Sequence, residues 1–215
     1  MKSKLSKYAL GLMMGMGLMG MNTTAQAADA ISMFADIGAQ SQYIWRADPQ
    51  SVNNDPALQG DVGVEHESGL SANLWFSTGV DFGTGAETEF DITLDYSGEA
   101  GDIGYSLGYI AYRYTDSNFD FDEVYAGVSF DIASLAVYYN ADAKNLYTEL
   151  GVGATVADMF DASLAFGVNS PDVGDSTNHI TLGLSKDFDN ITGNVTVANT
   201  KLNDTSFAAG INYAF

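Results

Sequence analysis

Apolar and polar residues alternate with a period of two along most of the chain after residue 30. In residues 90–96, FDITLDY, the even positions are apolar or aromatic and the odd positions within the segment are polar. Residues 71–80, SANLWFSTGV, repeat the pattern and put Val80 on the same predicted face as Leu74. Such alternation, repeated from segment to segment, indicates half-buried β-strands rather than helices.

The alternating segments number twelve. Their predicted bounds are 33–45, 58–67, 70–80, 88–97, 103–114, 122–130, 134–141, 145–156, 161–168, 177–186, 191–199 and 205–215. Short connections alternate with mostly longer, more polar ones, and strands of this length suit a tilted crossing of a bilayer. The sequence therefore predicts an all-β fold, a transmembrane antiparallel up-and-down β-barrel of about 12 strands.

The N-terminus has the three parts of a secretory signal peptide. Lys2, Lys4 and Lys7 precede an apolar stretch over residues 8–21, and the A-x-A sequence 25–27 follows it. The apolar stretch is shorter than the roughly 20 residues that a spanning helix needs. We therefore expect residues 1–27 to be a cleaved signal peptide for Sec export, and residues 28–215 to form one outer-membrane barrel domain.

Composition excludes several classes of function. After residue 27 the chain has five Lys and Arg against 28 Asp and Glu, so its surface repels nucleic acid. It has no cysteine and no phosphate-binding or metal-helix motif, so we expect no cofactor. Only His66 and His179 are present, in no catalytic pattern, and we expect no enzyme. Weak divalent-ion binding by loop carboxylates stays open.

The C-terminal segment GINYAF resembles the terminal signal of bacterial outer-membrane barrels. The resemblance rests on Gly210, Tyr213 and Phe215 and implies recognition by the barrel-assembly machinery. Physically, the last strand has to pair with the first, because an open edge in hydrocarbon leaves unpaired backbone groups. Other expected partners are membrane lipid and, at the outward position of Arg113, lipopolysaccharide.

Residues 41–130 resemble the TorF-type porin family of proteobacteria. The residues that carry the resemblance are Ser41, Tyr43, Arg46, Gln50, Ser51, Asn53, Pro56, Ala57, Gln59, Gly60, Ser68, Gly69, Trp75, Glu89, Asp91 and Tyr112, with the segments GEAGD and FDEVYAGVSF. One departure is Ala47, where the family usually has Gly after the Arg. The resemblance implies an outer-membrane barrel and indicates little about the solute.

Carboxylates concentrate on the face of the strands that is small or polar. Asp61, Glu65, Glu89, Asp91, Asp95, Glu123 and Glu149 share this face, as do Trp75 and Tyr125, and Arg46 is predicted to join them near the outer mouth. If this face lines a lumen, the carboxylates favour cations. The alternative is a hydrogen-bonded network that closes the barrel.

Two functions follow from these alternatives. The first is a porin for passive diffusion of small solutes, with a preference for cations. The second is a closed structural or adhesive barrel that acts through its acidic loops. Glycines on the inner face, such as Gly108 and Gly167, favour the channel because they leave room. Tyr43 and Trp45 fall at the alternate positions that face outward. They are predicted to belong to the aromatic girdles at the membrane interfaces.

Overall fold

The computed structural model describes residues 30–51, 55–83, 85–157, 159–201 and 205–215. The predicted signal peptide and its cleavage site lie outside these residues. The elements in chain order are β1 (Ile31–Gln40), β2 (Ile44–Trp45), β3 (Asp48–Pro49), β4 (Ala57–His66), β5 (Leu70–Asp81), β6 (Ala86–Ala100), β7 (Ile103–Tyr114), a 3₁₀ helix (Ser117–Phe119), β8 (Phe121–Phe130), β9 (Ala133–Asn140), β10 (Asn145–Val156), β11 (Phe160–Pro171), β12 (Thr177–Phe188), β13 (Ile191–Thr200) and β14 (Ser206–Ala214).

Twelve of these strands form a closed antiparallel barrel, which confirms the predicted fold. Each barrel strand pairs with its neighbours along the chain, and β1 closes the sheet by pairing with both β4 and β14. Connections of two or three residues alternate with connections of four or more. We call the two ends of the barrel the turn end and the loop end after these connections.

The outer surface of the barrel is apolar. Every barrel strand exposes large apolar or aromatic side chains at alternate positions, such as Leu94, Leu107, Leu150 and Ile211. A surface of this kind is stable where lipid replaces water around it. The described residues include no helix that is both long enough and apolar enough to cross a bilayer.

The first predicted strand is too long, because β1 ends at Gln40 and the chain then turns into the barrel. Residues 44–49 form a two-stranded hairpin, β2–β3, in which Ile44 pairs with Pro49 and Trp45 with Asp48. Its turn residues, Arg46 and Ala47, both have positive φ, at 48° and 64°. Two positive φ values are what a tight two-residue hairpin requires, and glycine usually supplies one of them.

This inward hairpin corrects the predicted place of two aromatic residues. Tyr43 is only 5% exposed, and its ring centroid lies 5.5 Å from that of Trp75. Trp45 packs edge-on against Tyr112 at 6.0 Å. Neither belongs to a girdle, because burial against other rings inside the barrel removes both from the outer face. The apolar–polar alternation continues through residues 41–45, but the chain leaves the direction of β1 after Gln40 and enters the barrel.

A β-bulge at Gly79 corrects the predicted face of Val80. The register between β5 and β6 shifts between Thr78 and Val80, and Gly79 has a φ of 78°. One extra residue moves every following side chain to the opposite face. Val80 is therefore fully buried inside the barrel, whereas Leu74 points outward.

Candidate functional site: the barrel interior

The interior has two walls of different composition. The inward positions of β5–β10 carry large aromatic and acidic side chains, and we call this surface the aromatic–acidic wall. The inward positions of β11–β14 and β1 are mostly small, and we call this surface the small-residue wall. Its members include Ala165, Gly167, Gly183, Thr196, Ala198, Ala208, Gly210 and Gly38. Neighbouring side chains fill the space beside Gly38, Gly167 and Gly210, so small residues on this wall do not all border open space.

Tyrosines hold the carboxylates of the aromatic–acidic wall. The hydroxyls of four tyrosines donate hydrogen bonds to four carboxylates: Tyr114 to Glu89 at 2.5 Å, Tyr125 to Asp95 at 2.5 Å, Tyr112 to Glu123 at 3.1 Å and Tyr147 to Glu149 at 2.6 Å. Each pair joins a hydroxyl donor to an acceptor that burial has removed from water. Four carboxylates of the wall are therefore held in hydrogen bonds.

Arg46 anchors the hairpin to this wall. Its Nη1 and Nη2 donate to Oε1 and Oε2 of Glu123 at 2.8 and 2.6 Å, and both side chains are buried. The guanidinium also lies 4.3, 4.8 and 4.0 Å from the ring centroids of Trp45, Tyr138 and Tyr147. Burial lowers the pKa of Arg46, but the neighbouring Tyr112 and the bonds to Glu123 hold the net pKa above the ordinary value. The planar guanidinium of arginine forms bidentate pairs with carboxylates and stacks on aromatic rings, which the ammonium group of lysine cannot do in the same way.

Backbone contacts fasten the hairpin at its base. The Gln50 amide donates to the Tyr43 carbonyl at 2.8 Å, and the Asp81 amide donates to the Gln50 carbonyl at 2.9 Å. The Tyr43 amide donates to Oγ of Ser51 at 2.9 Å. The hairpin is thus held by β5 at its base and by Glu123 at its tip, and it occupies part of the barrel cross-section.

Two cavities lie at opposite ends of the interior. The loop-end cavity measures about 220 Å³ and lies between the hairpin residues Trp45 and Arg46 and the β10 and β12 residues Tyr147 and His179. The turn-end cavity measures about 160 Å³ and is lined by Glu65, Asp95, Asn73 and other residues of β1 and β4–β6. The hairpin and the centre of the aromatic–acidic wall lie between them.

The predicted pore-lining residues all lie inside the barrel, but in different settings. Arg46, Trp75, Glu89, Asp91, Glu123, Tyr125 and Glu149 are packed within the aromatic–acidic wall or against the hairpin. Asp61 accepts a hydrogen bond from Asn73 at 2.9 Å. Glu65 and Asp95 line the turn-end cavity. Whether any of these residues lines a path for solute remains a prediction.

Sequence reasoning missed the tyrosines that partner the carboxylates. Tyr112, Tyr114 and Tyr147 occupy the inward-facing alternate positions of their strands, and that alternation was the signal for finding them. It also misjudged two inner-face glycines. A Cβ at Gly108 would collide with the Tyr125 ring, and one at Gly167 would collide with His179. These glycines make room for neighbouring rings, so they do not widen the lumen.

The C-terminal strand completes the barrel. Residues 210–214 pair with residues 36–40, and the Phe215 amide donates to the Ala35 carbonyl at 3.0 Å. Tyr213 and Phe215 point outward with their rings 5.2 Å apart, and Gly210 lies opposite Gln40. The terminal aromatic side chains are therefore accessible from the membrane side.

The interior shows no metal centre among the residues described. No three His, Asp or Glu side chains in those parts of the chain are grouped to hold a metal ion. His66 lies at the turn end beside Ser68, 2.8 Å from its hydroxyl, and His179 contacts Tyr147 on the opposite side of the barrel. The two histidines thus belong to separate surroundings.

Solved porins have the same architecture. The KdgM porin is similar with a TM-score of 0.60 and 12% identity, over 86% of this chain and 99% of that chain. The KdgM porin in complex with disordered oligogalacturonate gives 0.59 and 11%, with the same two coverages. The translocation pore of the P pilus usher PapC gives 0.50 and 14%, over 87% of this chain and 42% of that one. At these identities the likeness shows the fold alone.

Sequence comparison identifies the family. No curated protein matches the sequence. The family model described as "Bacterial protein of unknown function (Gcw_chp)" matches residues 24–214, which include the whole barrel. The chain therefore belongs to the Gcw_chp family of bacterial proteins.

Proposed function

We propose that the protein is an outer-membrane channel for passive diffusion of small solutes, with a preference for cations. The observation that carries the proposal is the interior itself, which has cavities at both ends and a wall of small residues along β11–β14 and β1. A side chain-filled barrel would have bulky residues on all sides. Here the large aromatic side chains concentrate along β5–β10, and a cavity remains at each end.

Charge supports the preference for cations. Arg46 is the one Lys or Arg that the described residues place inside the barrel, and its charge is paired with Glu123. Carboxylates occur at the turn end and along the aromatic–acidic wall. A confined space with one sign of fixed charge raises the local concentration of the opposite ion.

The apolar outer surface supports a place in the outer membrane. We infer Sec export from the predicted signal peptide, and contact with lipid and lipopolysaccharide from the exposed apolar bands. The exposed Tyr213 and Phe215 support recognition by the barrel-assembly machinery. Membership of the TorF-type porins, suggested by residues 41–130, is part of the same proposal.

The oligogalacturonate bound by the similar KdgM porin is not the solute that we propose for this protein. Oligogalacturonate is a polyanion, and an acidic interior opposes its entry because like charges repel. The hairpin also narrows the loop end. We therefore propose small neutral or cationic solutes, and no enzymatic role.

A second candidate function is a closed structural or adhesive barrel. The buried Arg46–Glu123 pair and the tyrosine–carboxylate bonds favour it, because they fill the aromatic–acidic wall and give its carboxylates hydrogen-bond partners. In this case the acidic loops at the loop end would carry the function.

Conductance of the purified protein in planar bilayers distinguishes the two. A channel gives discrete current steps in KCl whose size scales with bulk conductivity. Protein heated above its unfolding temperature before reconstitution is the control. A correctly folded barrel that inserts and gives no steps would exclude the channel and leave the closed barrel.

A further inference from the structure

The loop-end cavity contains buried polar atoms without hydrogen-bond partners. His179 lines it and is only 6% exposed, and its Nδ1 has no partner. Nε of Arg46 and Oδ1 of Asn145, two other lining residues, also have none. Buried polar atoms without partners cost free energy. Three of them around one cavity indicate that something from outside the chain supplies their partners.

The hydrogen bonds of Tyr147 define what His179 offers. The Tyr147 hydroxyl donates its one proton to Glu149 at 2.6 Å, and it lies 3.0 Å from Nε2 of His179. With this direction of the first bond, Nε2 is the donor in the second contact, and in the neutral imidazole this leaves Nδ1 as an acceptor. The two rings are nearly parallel, at 4°, so stacking holds the imidazole in place. The cavity thus presents an acceptor at His179 and a donor at Arg46.

Charge narrows the chemical class of the ligand. Both terminal nitrogens of Arg46 already bind Glu123. Asp48 lines the cavity, and Glu149 lies behind Tyr147. This excess of carboxylates opposes an anion, and the described carboxylates form no cluster that would hold a metal cation. A neutral molecule whose hydroxyls both donate and accept satisfies the unpaired atoms.

We propose that the loop-end cavity is a binding subsite for one residue of a neutral sugar. A volume of about 220 Å³ exceeds the ~30 Å³ share of one water severalfold. Trp45 supplies flat apolar surface for the CH face of a sugar ring, and Asn145, Arg46 and His179 supply hydrogen bonds to its hydroxyls. The place of this subsite on a solute path rests on the proposed channel function, but binding itself does not need conduction.

Tryptophan fluorescence tests the subsite directly. The chain has two tryptophans, so Trp75→Phe leaves Trp45, in the cavity wall, as the one reporter. We expect glucose to change its fluorescence saturably, glucosamine to act similarly and glucuronate to act more weakly. The matched Trp45→Phe protein, which reports from Trp75, should show no saturable change. A linear response to glucose would mean that the cavity holds water only, and tighter binding of glucuronate would mean an anion site. Either result overturns the proposal.

Two substitutions of His179 separate the roles of its ring nitrogens. His179→Gln keeps a donor near Tyr147 and removes the acceptor at Nδ1, whereas His179→Asn keeps an acceptor near the Nδ1 position and removes the donor. We expect His179→Gln to weaken glucose binding about tenfold, the loss of one hydrogen bond, and His179→Asn to weaken it less. Equal losses in variants that fold normally would contradict the role of Nδ1.

Bilayer currents of the same proteins keep the two proposals separate. Saturable binding without current would exclude the channel and retain the subsite, whereas current without binding would retain the channel and exclude the subsite.

Discussion

At the scale of single residues, Arg46 attaches the inward hairpin to the aromatic–acidic wall. Its guanidinium lies at the tip of the inward hairpin and is bound by both oxygens of Glu123 across the barrel. Three aromatic rings surround it. A buried ion pair of this kind adds little compared with apolar packing, but the loss of one member leaves an unpaired buried charge.

We predict that Arg46→Gln lowers the free energy of unfolding by about 3–5 kcal/mol, because Glu123 is left buried without its partner. The double variant Arg46→Met with Glu123→Gln should recover most of this loss. The matched control is Arg113, whose 2.7 Å pair with Asp122 is on the exposed surface; Arg113→Gln should cost about 1 kcal/mol or less. Urea unfolding followed by fluorescence measures all three. Equal losses for Arg46 and Arg113 would contradict the special position of Arg46.

At the scale of elements, the barrel strands were predictable and the hairpin was not. Alternation located all twelve strands, because a sheet between lipid and a polar interior repeats the same pattern. Residues 41–45 continue that pattern, so the alternation predicted that Tyr43 and Trp45 face outward. Their actual position depends on the positive φ of Arg46 and Ala47 and on long-range contacts with Trp75 and Glu123. A local pattern contains none of these contacts, and the tyrosine–carboxylate pairs escaped prediction for the same reason.

The hairpin is expected to limit the conductance of the channel. The Gln50 amide and the Tyr43 carbonyl are already hydrogen-bonded, so Asn-Gly can replace residues 44–49 as a two-residue turn between them. Glu123→Gln in the same protein avoids an unpaired buried charge. We predict larger single-channel steps than those of the Arg46→Met, Glu123→Gln barrel, whose hairpin is intact and which leaves neither charge unpaired. A deletion of Val173, an exposed loop residue, should leave the step size unchanged. Unchanged steps after hairpin removal would show that the solute path does not pass this element.

The C-terminal strand is expected to control assembly more than final stability. Tyr213 and Phe215 are exposed on the outer surface, so they contribute little to the packed interior. We predict that Tyr213→Asp, or deletion of Phe215, leaves unfolded protein in the periplasm, although the same protein refolds in detergent. The matched control is Phe188→Asp, another exposed aromatic at the turn end. Heat-modifiable migration on gels reports the folded fraction. Normal assembly of both C-terminal variants would contradict the proposal that the C-terminal strand is an assembly signal.

At the scale of the whole molecule, the distribution of charge over the two cavities is the property that bears on selectivity. Glu89, Asp91 and Glu123 lie within the packed wall, where hydrogen bonds and burial separate them from mobile ions. Glu65 borders the turn-end cavity, and Asp95, which also accepts a hydrogen bond from Tyr125, lines the same cavity. The structure therefore moves the expected selectivity region from the middle of the barrel to its turn end, since an ion responds most strongly to charges in contact with its path.

We predict that the channel passes K⁺ more readily than Cl⁻, and that Glu65→Gln with Asp95→Asn reduces this preference without unfolding the barrel. Fixed carboxylates concentrate cations near them, and the effect should weaken in strong salt because the Debye length falls from about 10 Å at 0.1 M to about 3 Å at 1 M. The matched control is Asp189→Asn, a charge removed from an exposed turn at the same end of the barrel. Reversal potentials across a KCl gradient measure the preference for each protein. An equal change from Asp189→Asn would indicate a general surface effect, and a preference for Cl⁻ in the unmodified channel would mean that Arg46, despite its pairing with Glu123, dominates the path.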